Sequence, residues 1–275
     1  MGFGRIGACI TLAVAYLALR FALPYVRPEF INPALVVLLC TALLMLAQLA
    51  FVVSIASLRL RPRSSVLLIL ASALAAAAMV FLEVRLEPRA PALAGALAVN
   101  LVFRDLCLML FAGSLGYVVS FIVREPNILL PAAVFAGLVD YWNVSWGPLS
   151  RLVERKPEVI TTVSVHMPMP VPGMPDGTVG IGDFVFLALF FGALYRFGLN
   201  VKGAFWLGYG LLTACMLFVL KFESAMPALV PIAIAVVGAN IRNFKLQREE
   251  LLATLYVGVL LLLLILASVI FLFRR

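Results

Sequence analysis

The chain has 275 residues, of which 64% are hydrophobic and 12% charged, with a mean hydropathy of +1.13; soluble domains run nearer half apolar and a quarter charged, which excludes a water-soluble globular protein. At about 20 apolar residues per crossing, the length holds roughly nine or ten membrane spans and leaves little for a separate domain. The net charge of +8 comes from 21 basic and 13 acidic residues, and the basic ones cluster between apolar runs as the positive-inside bias requires, so they report topology and imply no nucleic-acid partner.

Apolar runs occupy about 6–26, 32–58, 65–84, 91–123, 128–146, 179–199, 204–220, 227–239 and 251–273. Each is a helix candidate, because in lipid a spanning segment must satisfy its own backbone. Ala13-Val14-Ala15 mimics a signal-peptidase site, but it lies in the middle of the first run, which therefore reads as an uncleaved span. The four cysteines, Cys9, Cys40, Cys107 and Cys215, sit in apolar runs without metal-ligand spacing and read as small hydrophobes.

The 91–123 run is long for one helix, and Arg104-Asp105 in its middle would suit a tight turn between two short spans. Charge parity favours that division. Arg59, Arg61 and Arg63 mark one cytoplasmic loop and Arg151, Arg155 and Lys156 another, and both lie inside only if an even number of spans separates them. The expectation is an all-α polytopic membrane protein of a prokaryotic plasma membrane, with nine transmembrane helices plus a tenth at the C-terminus. Three parts follow: N-terminal helices over 1–126, a core over 127–240 with a loop at 147–178, and the extra helix within 241–275. The N-terminus and the loop are then cytoplasmic.

That loop is polar and proline-rich, and it contains the β-branched patch Val159-Ile160-Thr161-Thr162-Val163-Ser164-Val165. Such a run favours an extended strand, and an exposed strand edge around Thr161, Thr162 and Val163 could pair with an unwound substrate by strand addition.

Asp140 and Asp183 stand in apolar runs with no basic residue within ten positions on either side. An ionisable group at membrane depth is a functional hypothesis by default. Asp140 lies about 9 Å before the end of its run and Asp183 about 7 Å past the start of the next, at 1.5 Å per residue. Consecutive antiparallel helices would bring them to one level. Paired carboxylates in a low dielectric do not both ionise readily, so one keeps a proton while the other is a base, which is the requirement of aspartic proteolysis. The same residues could instead cap or hydrogen-bond a neighbouring helix, or serve a proton pathway.

Gly180-Ile181-Gly182-Asp183 is a GxGD motif at the head of an apolar run, and Pro227-Ala228-Leu229 follows one run later. This order resembles the presenilins and signal peptide peptidases, the intramembrane aspartyl proteases. The Pro-Ala-Leu triplet also occurs at Pro33-Ala34-Leu35 and Pro91-Ala92-Leu93, so its position carries weight and its composition does not. The likeness to presenilins extends to Gly147-Pro148-Leu149, Arg151-Leu152-Val153-Glu154, Gly182-Asp183-Phe184-Val185-Phe186 and Leu82-Glu83-Val84. The resemblance implies a presenilin-like bundle, an Asp140 and Asp183 dyad, transmembrane protein or peptide substrates within the lipid bilayer, and no cofactor. It also implies that substrate is held as an extended strand beside the loop, with the Pro-Ala-Leu segment on the other flank. The rival reading is a proton-coupled transporter using the same acids as a relay, although the two halves of the chain show no internal repeat of the kind many transporters carry.

The remaining polar residues read as structural. His166 has no second ligand near it in sequence; Glu83 with Arg85, and Arg104 with Asp105, could pair; Asn143, one turn from Asp140, could orient a water or satisfy a carbonyl; Asp176 reads as a solvated turn residue.

Overall fold

The apolar runs form helices for the reason the sequence gives, and polar or proline-bearing residues end them. The computed structural model describes residues 2–23, 33–58, 60–86, 94–145, 161–168, 177–222 and 226–244, with single positions from 248 to 263. Five helices come first: α1 (Gly2–Ala22), α2 (Pro33–Ser57), α3 (Pro62–Leu86), α4 (Ala94–Val119) and α5 (Leu129–Ser145). A two-stranded antiparallel hairpin follows, β1 (Ser164–Met167) and β2 (Gly177–Gly180), and then α6 (Ile181–Phe197), α7 (Val201–Phe222) and α8 (Leu229–Asn240). Six of the described helices are long and apolar enough to cross a membrane. The protein is a helical membrane protein. The expected C-terminal helix at 251–273 lies almost wholly outside the described residues.

The 91–123 run does not divide. Residues 94–119 form one continuous helix, with Arg104 and Asp105 well inside it. The pair needs no turn because each charge finds a partner on another helix, as set out below. The even count that placed the N-terminus and the long loop on one side is therefore lost.

The chain forms two compact units, Met1–Val119 with Glu158–Gly192, and Ser120–Pro157 with Ala193–Arg275. In the first, α2 and α4 supply much of the interior, including Val37, Leu44, Phe51, Ile55, Met109 and Ala112. Leu67, Leu70 and Leu74 of α3 are exposed, at no cost where the surroundings are acyl chains. Helices in lipid associate through close packing at small residues, and Gly116 of α4 is such a residue. A Cβ there would run into the Val185 carbonyl and would stand 2.7 Å from Ala188 Cβ. Gly116→Ala should therefore force α4 and α6 apart and lower stability by about 1–3 kcal/mol. Gly182, where a Cβ meets nothing within 4 Å, should accept alanine with little change. Denaturation of the two variants in detergent would compare them, and equal stabilities would remove the close-packing account.

In the second unit α8 packs against both α5 and α7. Gly198 (φ +66°) ends α6 in the left-handed conformation, and the Leu199 N–H donates to the Leu194 carbonyl at 3.0 Å, a glycine-terminated helix end. Asn200 then caps α7 by accepting from the Gly203 N–H at 2.9 Å. Arg196 donates to the carbonyls of Ser120 (2.5 Å) and Val123 (3.3 Å) and lies over the Phe121 ring. The turn between α6 and α7 is thus specified locally by Gly198 and Asn200.

Candidate functional site

Asp140 lies in the last two turns of α5, half-buried. One turn earlier, Gly137 lets α8 come close: a Cβ there would be 3.7 Å from Val230 Cα and 3.8 Å from Ala233 Cβ. That approach puts the start of α8 at the carboxylate. The first N–H groups of a helix have no partner within it, and Ala228, at the N-cap of α8, has no side-chain oxygen to offer. Asp140 takes that role. The Leu229 N–H donates to Asp140 Oδ2 at 2.8 Å, where the helix dipole also favours a negative charge. Asp140 Oδ1 has no hydrogen-bond partner among the described residues, and none of them joins Asn143 to the carboxylate.

The capping role that the sequence left open for an aspartate is therefore real for Asp140. The helix it caps begins in Pro227-Ala228-Leu229, with Pro227 and Leu229 buried. Of the other two Pro-Ala-Leu copies, Pro33-Ala34-Leu35 opens α2 and Pro91-Ala92-Leu93 lies outside the described residues. Along α5 and α8, beside Asp140, runs an apolar groove of about 530 Å³ lined by residues including Ala133, Leu138, Tyr141, Val230 and Ile234.

Asp183 belongs to the other unit and is placed by the hairpin. β2 ends at Gly180, α6 starts at Ile181, and Asp183 falls in the first turn, where the dipole again favours an anion. Neither Gly180 nor Gly182 is left-handed, so these glycines are not required by the turn. Their effect is spatial. A Cβ at Gly180 would stand 3.5 Å from Asp183 Oδ2, and one at Gly182 would meet nothing within 4 Å. Of the two glycines, only Gly180 borders the carboxylate, where a Cβ would come into ordinary van der Waals contact with it.

The strand lies further along than the β-branched patch predicts. Thr161 and Thr162 are helical and Val163 is in a turn; the strand starts at Ser164. Val159 and Ile160, with 147–160 and 169–176 generally, including Asp176, lie outside the described residues. A strand forms where it finds a partner more than where side chains favour it, and the partner here is Gly177–Gly180, in the register Ser164↔Gly180, Val165↔Val179, His166↔Thr178 and Met167↔Gly177.

Which edge of the hairpin is open follows from one bond. The His166 N–H donates to Asp105 Oδ2 at 3.1 Å and so points away from β2. In an antiparallel ladder this makes His166↔Thr178 a non-hydrogen-bonded pair, and the Thr178 N–H and C=O also point outward, as does the Gly180 N–H two residues on, while the Gly180 carbonyl is taken up as the first acceptor of α6. β1 packs on α4, with Ser164, Val165 and Met167 buried, whereas Thr178 and Gly180 are exposed. Among the described residues, the edge without a partner strand is that of β2, which ends three residues before Asp183.

Sequence reasoning missed the cluster that receives β1. Glu83 pairs with Arg104 (2.6 Å) and not with Arg85, which lies over the Phe81 ring. Asp105 pairs with Arg20 of α1 at 3.1 Å and with Arg104 at 3.6 Å. Arg104 Nη2 lies 2.8 Å from His166 Nδ1 and 3.5 Å from the Thr161 carbonyl. Asn100 donates to Glu83 and to the Met79 carbonyl. The expected pairing of Arg104 with Asp105 is present; charged residues inside three separate apolar runs were the available signal for the rest, but their partners on other helices were not. No protein-family model, curated protein or solved structure matches the chain.

Proposed function

We propose that the chain is a presenilin-like intramembrane aspartyl protease that hydrolyses peptide bonds of transmembrane segments with Asp140 and Asp183 as its dyad. The observation that carries this reading is the bond from the Leu229 N–H to Asp140: the Pro-Ala-Leu copy standing in the family's order, after GxGD, is also the copy whose backbone meets the first acid. The hairpin adds support, since the exposed β2 edge that leads into Asp183 suits an extended peptide.

In this reading Leu229 holds one oxygen of Asp140 and leaves the other toward water. The ionised carboxyl removes a proton from water as its oxygen bonds to the scissile carbonyl carbon, and the protonated partner donates toward the carbonyl oxygen. The C–N bond then breaks as nitrogen takes up a proton, giving two shorter chains and no covalent enzyme intermediate. An apolar segment would approach along the groove of α5 and α8. The bundle counts the eight described helices, and 251–273 would supply a further one. Arg151, Arg155 and Lys156 favour a cytoplasmic face for the loop, in a prokaryotic plasma membrane.

The test is incubation of the purified protein with a single-span substrate in bilayers, followed by mass spectrometry of the products. Defined internal cuts are expected, and an intact substrate alongside proton-coupled solute uptake would favour the transporter.

The substrate strand belongs at β2. Thr178→Pro removes an outward N–H while the Val165↔Val179 hydrogen bonds stay, and proline is tolerated on an edge strand. Cleavage should fall by about tenfold or more, the effect of losing roughly one to two kcal/mol of hydrogen bonding, while Thr178→Val cleaves normally. Equal rates in the two variants would place the substrate elsewhere.

A further inference from the structure

We infer that His166 and Asp105 are positioning residues that clamp the hairpin to α4 and so fix where Asp183 and the β2 edge stand; the catalytic part of this statement rests on the proteolytic reading above. The path is short. β1 pairs with β2 in register, His166 opposite Thr178, and β2 runs without a break through Gly180 into the first turn of α6. Whatever holds His166 therefore holds the approach to Asp183 five residues beyond Thr178.

Two different bonds do the holding. The backbone N–H of His166 donates to Asp105 Oδ2 at 3.1 Å. The ring Nδ1 lies 2.8 Å from Arg104 Nη2 and 3.4 Å from Asp105 Oδ1. A guanidinium can only donate, so the shorter contact assigns a lone pair to Nδ1 and the ring proton to Nε2. Charge balance agrees: Arg20 and Arg104 are matched by Glu83 and Asp105, and a neutral imidazole keeps this buried set neutral. Arg104 is 3% exposed and Asp105 fully buried, so the anchor lies in the interior of its unit, and it draws on α1, α3 and α4 together. The chemical requirement at 166 is an acceptor at the Nδ1 position.

That requirement separates replacements of similar size. Asparagine puts its amide oxygen where Nδ1 stands; glutamine carries the same amide one bond further out; leucine has no acceptor. Val165, fully buried in β1, becomes the reporter as Val165→Cys in the full-length protein in bilayers, with the labelling of Cys9, Cys40, Cys107 and Cys215 subtracted using matched proteins that keep Val165. Labelling by a polar maleimide should be slow with His166 and with His166→Asn, and at least about tenfold faster with His166→Gln and His166→Leu. Cleavage should follow in the opposite sense, with kcat lost in the Gln and Leu variants and restored in Asn, a rescue that side-chain volume alone does not provide.

If all four proteins label alike, or if Asn labels as fast as Gln, the acceptor clamp is wrong. If labelling rises as expected but cleavage does not fall, the hairpin is clamped yet does not position Asp183. If the parent protein cleaves nothing, the proteolytic reading fails, and thiol labelling still decides the clamp. Should His166→Leu fail to fold, the Asn and Gln pair, equal in polarity, carries the comparison.

Discussion

Asparagine at Asp140 or at Asp183 is expected to abolish cleavage while leaving the protein folded. The loss should be on the order of 10³-fold or more, because each carboxyl serves as acid or base in the same step and such groups contribute about 10²–10⁴-fold. Asp140→Asn is informative because of the bond to Leu229. An asparagine Oδ1 can still accept that N–H, so the cap on α8 survives, and only the favourable charge at the helix start is lost, about 0.3–1 kcal/mol. A carboxylate that merely caps α8 would therefore be replaced with little effect. Asp183→Asn likewise keeps a polar side chain in the first turn of α6. Rates on a reconstituted single-span substrate, with circular dichroism and thermal unfolding as folding controls, give the result. Substantial activity in either variant removes the dyad.

The parts of the fold that were legible in the sequence are those written in neighbouring residues. Apolar runs of about 20 residues became helices, and Asp183, near the head of the 179–199 run, stands in the first turn of α6. The unreadable parts depend on partners distant in sequence. Arg104-Asp105 looks like a turn when the run is read alone; only Glu83 and Arg20, 21 and 85 residues away, make it ordinary helix interior. The strand at Ser164–Met167 is displaced from the β-branched patch because Gly177–Gly180 and Asp105 select which residues are paired. Nothing in the triplet Pro227-Ala228-Leu229 distinguishes it from its two copies. Its order after GxGD does, and the bond to Asp140 gives that order a physical counterpart.

Removing one partner of the Arg20 and Asp105 pair should be among the costliest polar losses available in the described residues of its unit. Asp105 is fully buried and Arg20 only 7% exposed, at 3.1 Å; Asp105 also receives the His166 N–H. Removing the acid by Asp105→Leu leaves a buried guanidinium facing apolar side chains, with Tyr16 and Gln48 the polar groups beside it on α1 and α2. Breaking one side of a buried pair costs about 3–5 kcal/mol, much of it from the charge left behind. Arg20→Leu should cost a similar amount, although Arg104 at 3.6 Å still faces Asp105 and should soften the loss. The double variant Arg20→Leu/Asp105→Leu removes both charges and should recover part of the deficit, leaving mainly the unpaired His166 N–H, about 1–3 kcal/mol. Denaturant unfolding of the four proteins in one detergent closes the cycle. Additive losses in the double variant, or a cost below about 1 kcal/mol for Asp105→Leu, would mean that the two charges do not stabilise each other and that α4 is held without this pair.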